Sequence, residues 1–479
     1  MSMTEFSMKD LITWNEKIEE IAQKFGLNYY QQEFEVCDQD DMLAYMSYHG
    51  MPSHYPHWSF GKAFDKTKTM YKYNMTGLPY EMVINSNPCL AYLMVDNTLL
   101  LQILTIAHVY GHNDFFKNNR MFVEGTDASY TLENFKSHAN RIRNYIDTYG
   151  YKKVEKILDS AHAIQYQVNR TIGEKTLTTR ELKQNIRDRV NKKDPYSLIK
   201  PKTDFDFNRV LLECSLEQTI VEPQEDLMQF MINFSKLEDW EKDILNIVRE
   251  ETLYFIPQIE TKIMNEGWAS YWHYKILSEL LGSSSEYQGL YIEFLKRHNQ
   301  VIRPHAKSLN PYYIGFKIFE WIDNNLGREK MFEVREMERD SSFIRKYLNF
   351  ELCKEMNLIS YDHDRYTRED YSKDTFTVTE LSDDDGWRKV RNMLASSVGC
   401  QKMPVITVDN IKSKSGGVGS LILSHRNEDG ELELNYLVET LKHLIDLWGG
   451  TIEINATINN VNRIITMDRT KDWSIYPKL

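Results

Sequence analysis

One stretch limits what this chain can become: Thr98 to Asn119, TLLLQILTIAHVYGHNDFFKNN. Leu101, Leu104, Thr105, His108, His112 and Phe115 recur at helical spacing along one side, while Leu100, Ile103 and Ile106 make the other side apolar too. A helix that is apolar nearly all round is central in its domain, with other elements wrapped around it. Gly111 inside it costs roughly 1 kcal/mol of helix propensity relative to alanine, a cost that a close neighbour at that point would explain. His108 and His112 stand about one turn apart, so both imidazoles project from the same face. A helix uses this spacing to offer two nitrogen ligands to one metal ion.

A second stretch answers the first. Asn265 to Tyr274, NEGWASYWHY, sets Glu266 and His273 two turns apart on another predicted helix. The spacing predicts that the two helices face each other, with the polar groups between them as the working part. Metal-peptidase helices read HExxH, with the Glu as general base; here Val109 stands in its place. The bland alternative is a pair of core histidines hydrogen-bonded to carboxylates. Glu266-Gly267-Trp268-Ala269-Ser270-Tyr271 resembles the context from which gluzincin-type zinc peptidases draw their third ligand. That similarity implies a helical core holding a divalent metal, zinc being the expectation, on His108, His112 and Glu266. Two imidazoles and one carboxylate leave a position open for water. Glu260 and His273 are candidates for the missing base, and His305 and Tyr312 for stabilising an oxyanion. Each also has a plain reading: Glu260 as a solvated helix position, His273 as a ring packed among Trp268, Tyr271 and Trp272, His305 as a loop residue and Tyr312 as a helix start.

The rest of the chain divides by texture. Helices are predicted over Met8–Phe25, Thr131–Tyr149, Lys152–Asn169, Leu227–Phe234, Trp240–Phe255, then, after a kink or a restart at Pro257, through Glu260, Glu266 and His273 to Leu281, over Tyr287–Asn299, from Pro311 on, and over Met331–Asn349. Pro and Gly interrupt residues 49–89, which read as an irregular layer with one short strand at MVIN. Thr176–Lys202 reads as an exposed basic helix and loop, a solvated face rather than a nucleic-acid site. After about Tyr371 strand patterns take over: Thr375–Thr379, Pro404–Asp409, Ser420–Arg426, Glu431–Leu434, Thr451–Thr457 and Arg463–Met467, with helices at Asp384–Ser396 and Asn435–Leu447. The expected organisation is a mainly α domain over 1–371 and a small α+β domain over 372–479. SKSGGVGS, Ser413 to Ser420, lacks the order of a P-loop and reads as a hairpin tip.

Charge and cysteine usage exclude some functions. A formal net charge of −12 is a poor footprint for nonspecific nucleic-acid binding. Five scattered cysteines, none in CxxC, are neither a disulfide framework nor a cysteine zinc site, which points to a reducing, cytoplasmic setting. No secretory signal is visible at the N-terminus and no run approaches 18 apolar residues, so no membrane span is expected.

The runs HVYGHNDFFKNN (108–119), MNEGWASYWHY (264–274) and LNPYYIGFKIFEW (309–321), with LWGG at 447–450, resemble the stage V sporulation protein R (SpoVR) family over nearly the whole chain. The resemblance implies a sporulation-associated role in forming the spore cortex, a modified peptidoglycan. It also implies a pathway shared with a PrkA-type serine protein kinase and a von Willebrand-like partner. Two functions fit. One is a metal-dependent hydrolase cleaving an amide in a cell-wall peptide or precursor. The other is a non-catalytic regulatory or scaffold protein with a degenerate peptidase-like fold, which Val109 favours. Burying so many His, Glu and Tyr on apolar helices is costly without a task, which favours the first.

Overall fold

The structure, a computed structural model, describes residues 6–73, 81–172, 184, 225–283, 285–303, 310–358, 361–366, 375–381, 386–412, 418–426 and 430–477. The chain condenses into two units, each made from two separate stretches: Met1–Arg143 with Tyr254–Lys402, and Asn144–Leu253 with Met403–Leu479. The boundary expected after Tyr371, the Thr176–Lys202 segment except Gln184, and His305 lie outside the described residues.

The first unit is built on the predicted central helix. It runs Leu99–Asn118, starting where the Thr98 side chain accepts from the Leu101 N–H and stopping at Asn119, and every residue from Gln102 to Phe116 is buried. We call it the histidine helix. The carboxylate helix, Lys262–Gly282, packs along it, and a third helix, Pro311–Leu326, packs on the carboxylate helix. Pro311 sits at the first turn of that third helix, where a missing N–H is harmless, and Asn310 caps it by accepting from the Tyr312 N–H. These helices approach with almost nothing between their backbones. A β-carbon on Gly111 would lie 2.6 Å from the Ala269 Cα, and one on Gly267 would overlap the main chain of Gly315. The helix Met8–Lys24 covers another side of the histidine helix. Trp268, Trp272, Phe294, Phe319 and Phe343 fill the core around these crossings, each large apolar side chain contributing about 1.5–3 kcal/mol on burial.

A small sheet completes this unit. Strands β1 (Gln32–Cys37), β2 (Glu81–Ile84) and β3 (Cys89–Met94) lie in the order β1-β3-β2, with β1 parallel and β2 antiparallel to β3. The unit also contains the antiparallel pair β4 (Tyr361–Tyr366) and β5 (Thr375–Leu381).

The second unit carries the C-terminal sheet. Strands β6 (Ile406–Lys412), β7 (Ser420–His425), β8 (Ile452–Ile458), β9 (Val461–Met467) and β10 (Trp473–Pro477) are ordered β10-β9-β8-β7-β6. Only β7 and β8 pair in parallel, and a parallel pair needs a crossover; the helix Leu434–Trp448 supplies it. The helix Tyr151–Ala163 packs on that crossover helix, tied by Lys156 to Asp446 at 2.9 Å and by the Ser160 hydroxyl to His443 Nδ1 at 3.3 Å.

A mainly helical chain with a small five-stranded C-terminal sheet is therefore present, and several local expectations change. The layer at 49–89 contains a helix, Trp58–Lys72, whose only fully buried residue is Phe60; so narrow an apolar stripe leaves little period to read. At Pro257, where a kink or a restart is expected, the helix does not restart. Asp239–Glu260 runs through Pro257, and the chain breaks at Thr261, whose hydroxyl bonds back to the Pro257 carbonyl at 2.7 Å. Glu260 and Glu266 thus belong to different helices. Glu431–Leu434 is not a strand: the Glu433 carboxylate accepts from the Tyr436 N–H and starts the crossover helix.

Candidate metal centre

The two sequence stretches interlock residue by residue. Gly111 meets Ala269 at the crossing. His112 Nδ1 lies 2.9 Å from Asn265 Oδ1; an amide oxygen only accepts, so Nδ1 carries the proton and Nε2 presents a lone pair. Asn113 faces away and pins β1, accepting from the Tyr30 N–H at 2.8 Å and donating to Gln32 Oε1 at 2.8 Å. Asp114, fully buried, accepts from the Trp268 indole at 2.8 Å, Arg335 at 2.8 Å and the Asn28 N–H at 2.7 Å. Gly-His-Asn-Asp and Asn-Glu-Gly-Trp are thus two halves of one joint.

Acidic and imidazole groups converge at that joint. His108 Nε2 and His112 Nε2 each lie 3.6 Å from Glu266 Oε2, and His108 Nε2 lies 3.9 Å from Glu81 Oε1 on β2. Glu81, His108 and His112 offer ligand atoms all within 4.8 Å of one another. His108 Nε2 and Glu266 Oε2 are buried and have no hydrogen-bond partner. Ligands about 2.0–2.2 Å from a shared tetrahedral ion stand roughly 3.3–3.5 Å apart. Orphaned polar atoms at nearly that separation fit a metal better than they fit each other. Nitrogen and carboxylate donors suit zinc, manganese or iron.

Behind His108 runs a chain of imidazoles. His108 Nδ1 lies 2.9 Å from His273 Nδ1, and His273 Nε2 lies 2.7 Å from His298 Nδ1. All three rings are buried. With the His108 Nε2 lone pair facing the carboxylates, His108 Nδ1–H donates to His273, and His273 Nε2–H donates to His298. Outer partners of this kind fix ring orientation and tautomer in metal sites.

Electrostatics favour neutral rings at His112, His273 and His298 and a charged Glu266. Burial, then the charge of His108, holds His112 down at about 4. Burial, then His108, holds His298 at about 4. Burial together with His298, His108 and His112 holds His273 well below the usual imidazole range. Burial alone would raise Glu266, but contact with His108 and the charges of His112, His108 and Lys262 pull it below the usual carboxylate range. Burial raises Glu81, against the pull of His108. Glu266 and burial together raise the Tyr312 phenol, which stays protonated.

A pH dependence follows. An unfolded histidine titrates near 6.5, so between about pH 6.5 and 4 the unfolded chain binds protons that folded His112 and His298 refuse. Their contribution to stability is complete above 6.5 and is lost as pH falls toward 4, on the order of 3 kcal/mol for each. Burial lifts Asp114 to about 6 and Asp340 to about 8, and these act with the opposite sign. The histidine contribution is therefore read from ring titration by NMR in metal-free protein. Both rings are expected to stay neutral at pH 5; midpoints near 6.5 would refute the assignment.

The residues singled out in the sequence have mixed placements. His108, His112 and Glu266 come together, His273 touches His108, and the Tyr312 ring stacks on that of His108 with centroids 6.1 Å apart. Glu260 points elsewhere: its Oε1 accepts from the Cys400 N–H at 2.9 Å and its Oε2 lies 3.5 Å from Arg339. The sequence reading missed Glu81, which sits far from both motifs on a four-residue strand, and His298, whose only signal is an isolated histidine on an amphipathic helix. Asn265 was one residue from the chosen glutamate.

Two cavities flank the centre, and Glu81 and Tyr312 line both. One, of about 310 Å³, includes His108, His273, Leu101 and Leu104. The other, of about 430 Å³, includes His112, Glu266, Asn265 and Lys262. Among the described residues no helix is long and apolar enough to cross a membrane.

No solved structure matches the chain. The protein named Uncharacterized protein YcgB of Escherichia coli strain K12 is similar, 33% identical over 470 residues that cover 90% of this chain and 89% of that protein. The family model described as SpoVR like protein matches residues 5–403, a span that includes both halves of the joint and the third helix. The chain belongs to the SpoVR family, which supports a sporulation-related role.

Proposed function

We propose that His108, His112 and Glu266 hold a divalent metal ion, zinc for preference, and that the protein hydrolyses amide bonds in a cell-wall peptide or its precursor. The observation that carries this reading is the convergence of His108 Nε2 and His112 Nε2 on Glu266 Oε2, with two of those atoms buried and unpartnered. A bound ion of this kind supplies Lewis acidity, polarising a carbonyl and making water nucleophilic at neutral pH.

The chain's own groups do the rest. Glu81 takes the role that Val109 cannot: a carboxylate raised by burial accepts the proton of the attacking water and returns it to the leaving amine. Tyr312, a neutral phenol on the wall of both cavities, donates to the developing oxyanion. His273, engaged on both ring nitrogens, positions His108 rather than moving protons to substrate. Glu260, held by Cys400 and Arg339, takes no part.

The first test is elemental analysis of protein purified without a metal-affinity column, followed by a screen of peptide amides. About one zinc per chain with amide cleavage is expected. Iron in its place, or no metal after supplementation, overturns the hydrolase reading in favour of a different chemistry or a scaffold. Glu81→Gln is expected to keep the metal and lose about 10²–10⁴-fold in turnover. Loss of metal in that variant would make Glu81 a ligand instead.

A further inference from the structure

The two cavities differ in what they can receive. The 310 Å³ cavity is walled by Leu101, Leu104, Val301 and Pro311. Arg297, on its wall, lies 3.8 Å from Glu293 on the same helix. The 430 Å³ cavity contains Lys262, which forms no ion pair among the described residues. It is the first residue of the carboxylate helix, where the backbone dipole disfavours a cation. Glu266 lies four residues on, hence on the same face about one turn away. The charge of Lys262 reaches both Glu266 and Asp340, but neither carboxylate comes within ion-pair distance. Asp340 is occupied instead in accepting from the Ile263 and Met264 N–H groups at 2.8 and 2.9 Å.

An exposed ammonium with no ion pair among the described residues, one helical turn from the proposed metal carboxylate and facing a cavity, is suited to a partner that arrives from outside. Building on the metal-hydrolase reading, we propose that the substrate is an asymmetric amide: an apolar group enters the Leu101/Leu104 cavity, and a carboxylate on the other side of the scissile bond pairs with Lys262. The i to i+4 spacing puts Cβ atoms about 5–6 Å apart, so that carboxylate belongs within a few bonds of the amide carbonyl.

Three hydroxamates test this on the full-length zinc-loaded protein by calorimetric titration at pH 7.5 and low salt. Acetohydroxamate reports an open metal position. Butyrohydroxamate and succinic monohydroxamate have chains of similar length, of which only the second ends in a carboxylate. The succinic compound is expected to bind about tenfold tighter than the butyric one, a typical worth for one charge-assisted contact. Lys262→Met should abolish the difference between the two compounds, and Lys262→Arg should restore most of it. Equal binding of the two compounds to the native protein, or a preference that survives Lys262→Met, overturns the subsite. Failure to take up zinc, or zinc uptake with no hydroxamate bound, overturns the hydrolase reading and the subsite with it.

Discussion

Gly267→Ala and Gly315→Ala are each expected to remove most of the stability of the protein, at least about 4 kcal/mol, or to abolish soluble folding. A β-carbon on Gly267 would overlap the Gly315 main chain, and one on Gly315 would overlap the Ile263 carbonyl oxygen and lie 2.7 Å from the Gly267 Cα. Overpacking a core usually costs about 1–3 kcal/mol because neighbouring side chains swing aside. Here the obstacle is backbone on both sides, and relief requires moving a whole helix. Gly111→Ala, 2.6 Å from the Ala269 Cα, should follow the same course. Gly289, with nothing within 4 Å of its would-be β-carbon, is the control; Gly289→Ala is expected to be neutral or stabilising by up to about 1 kcal/mol. Urea unfolding midpoints decide the matter. An unchanged midpoint for Gly267→Ala would show that the helices do not cross as described.

His112→Ala is expected to lose bound metal by about a hundredfold or more in affinity while keeping the fold. In the proposed site the imidazole would supply one of two nitrogen ligands, and its ring stacks near that of Phe116. Asn265→Ala leaves the proposed ligands in place but removes the acceptor that sets the His112 tautomer. Loss of such an outer partner typically costs 10–100-fold. Competition against a chelator of known affinity measures both, with circular dichroism as the check on folding. Full metal content in His112→Ala would move the ligand set elsewhere.

The contrast between Glu266 and Glu81 shows how far the sequence could be read. Glu266 was legible because it lies on a helix whose small residue, Gly267, signals close approach, and because the partner helix carries two histidines at ligand spacing. Glu81 was not, because a strand of four residues carries almost no pattern, and nothing local says that β2 ends beside His108. The central helix from Leu99 to Asn118 was readable to within a residue, since its apolar character and its Thr98 cap are local properties. Glu260 was misjudged because the break at Thr261 is held from far along the chain, by the Asp340 carboxylate accepting from the Ile263 and Met264 N–H groups, and without it Glu260 and Glu266 read as residues within two turns of each other on one helix. His273 was correctly sited beside the histidines, yet its role turns on His298, a ring 25 residues away that no spacing rule connects to it.

The glycine crossings carry one more consequence. Where two helices touch through side chains, their separation depends on which rotamers happen to fill the gap, and it drifts as those residues change. Where Gly111 meets Ala269 and Gly267 meets Gly315, main-chain atoms set the spacing, and main-chain atoms are the same in every sequence. The helices act as a ruler whose graduations do not depend on the surrounding core. Leucines and phenylalanines around the joint can be exchanged over long stretches of evolution while the gap between His112 and Glu266 keeps its length, and a single methyl group placed on the ruler itself is enough to spoil it.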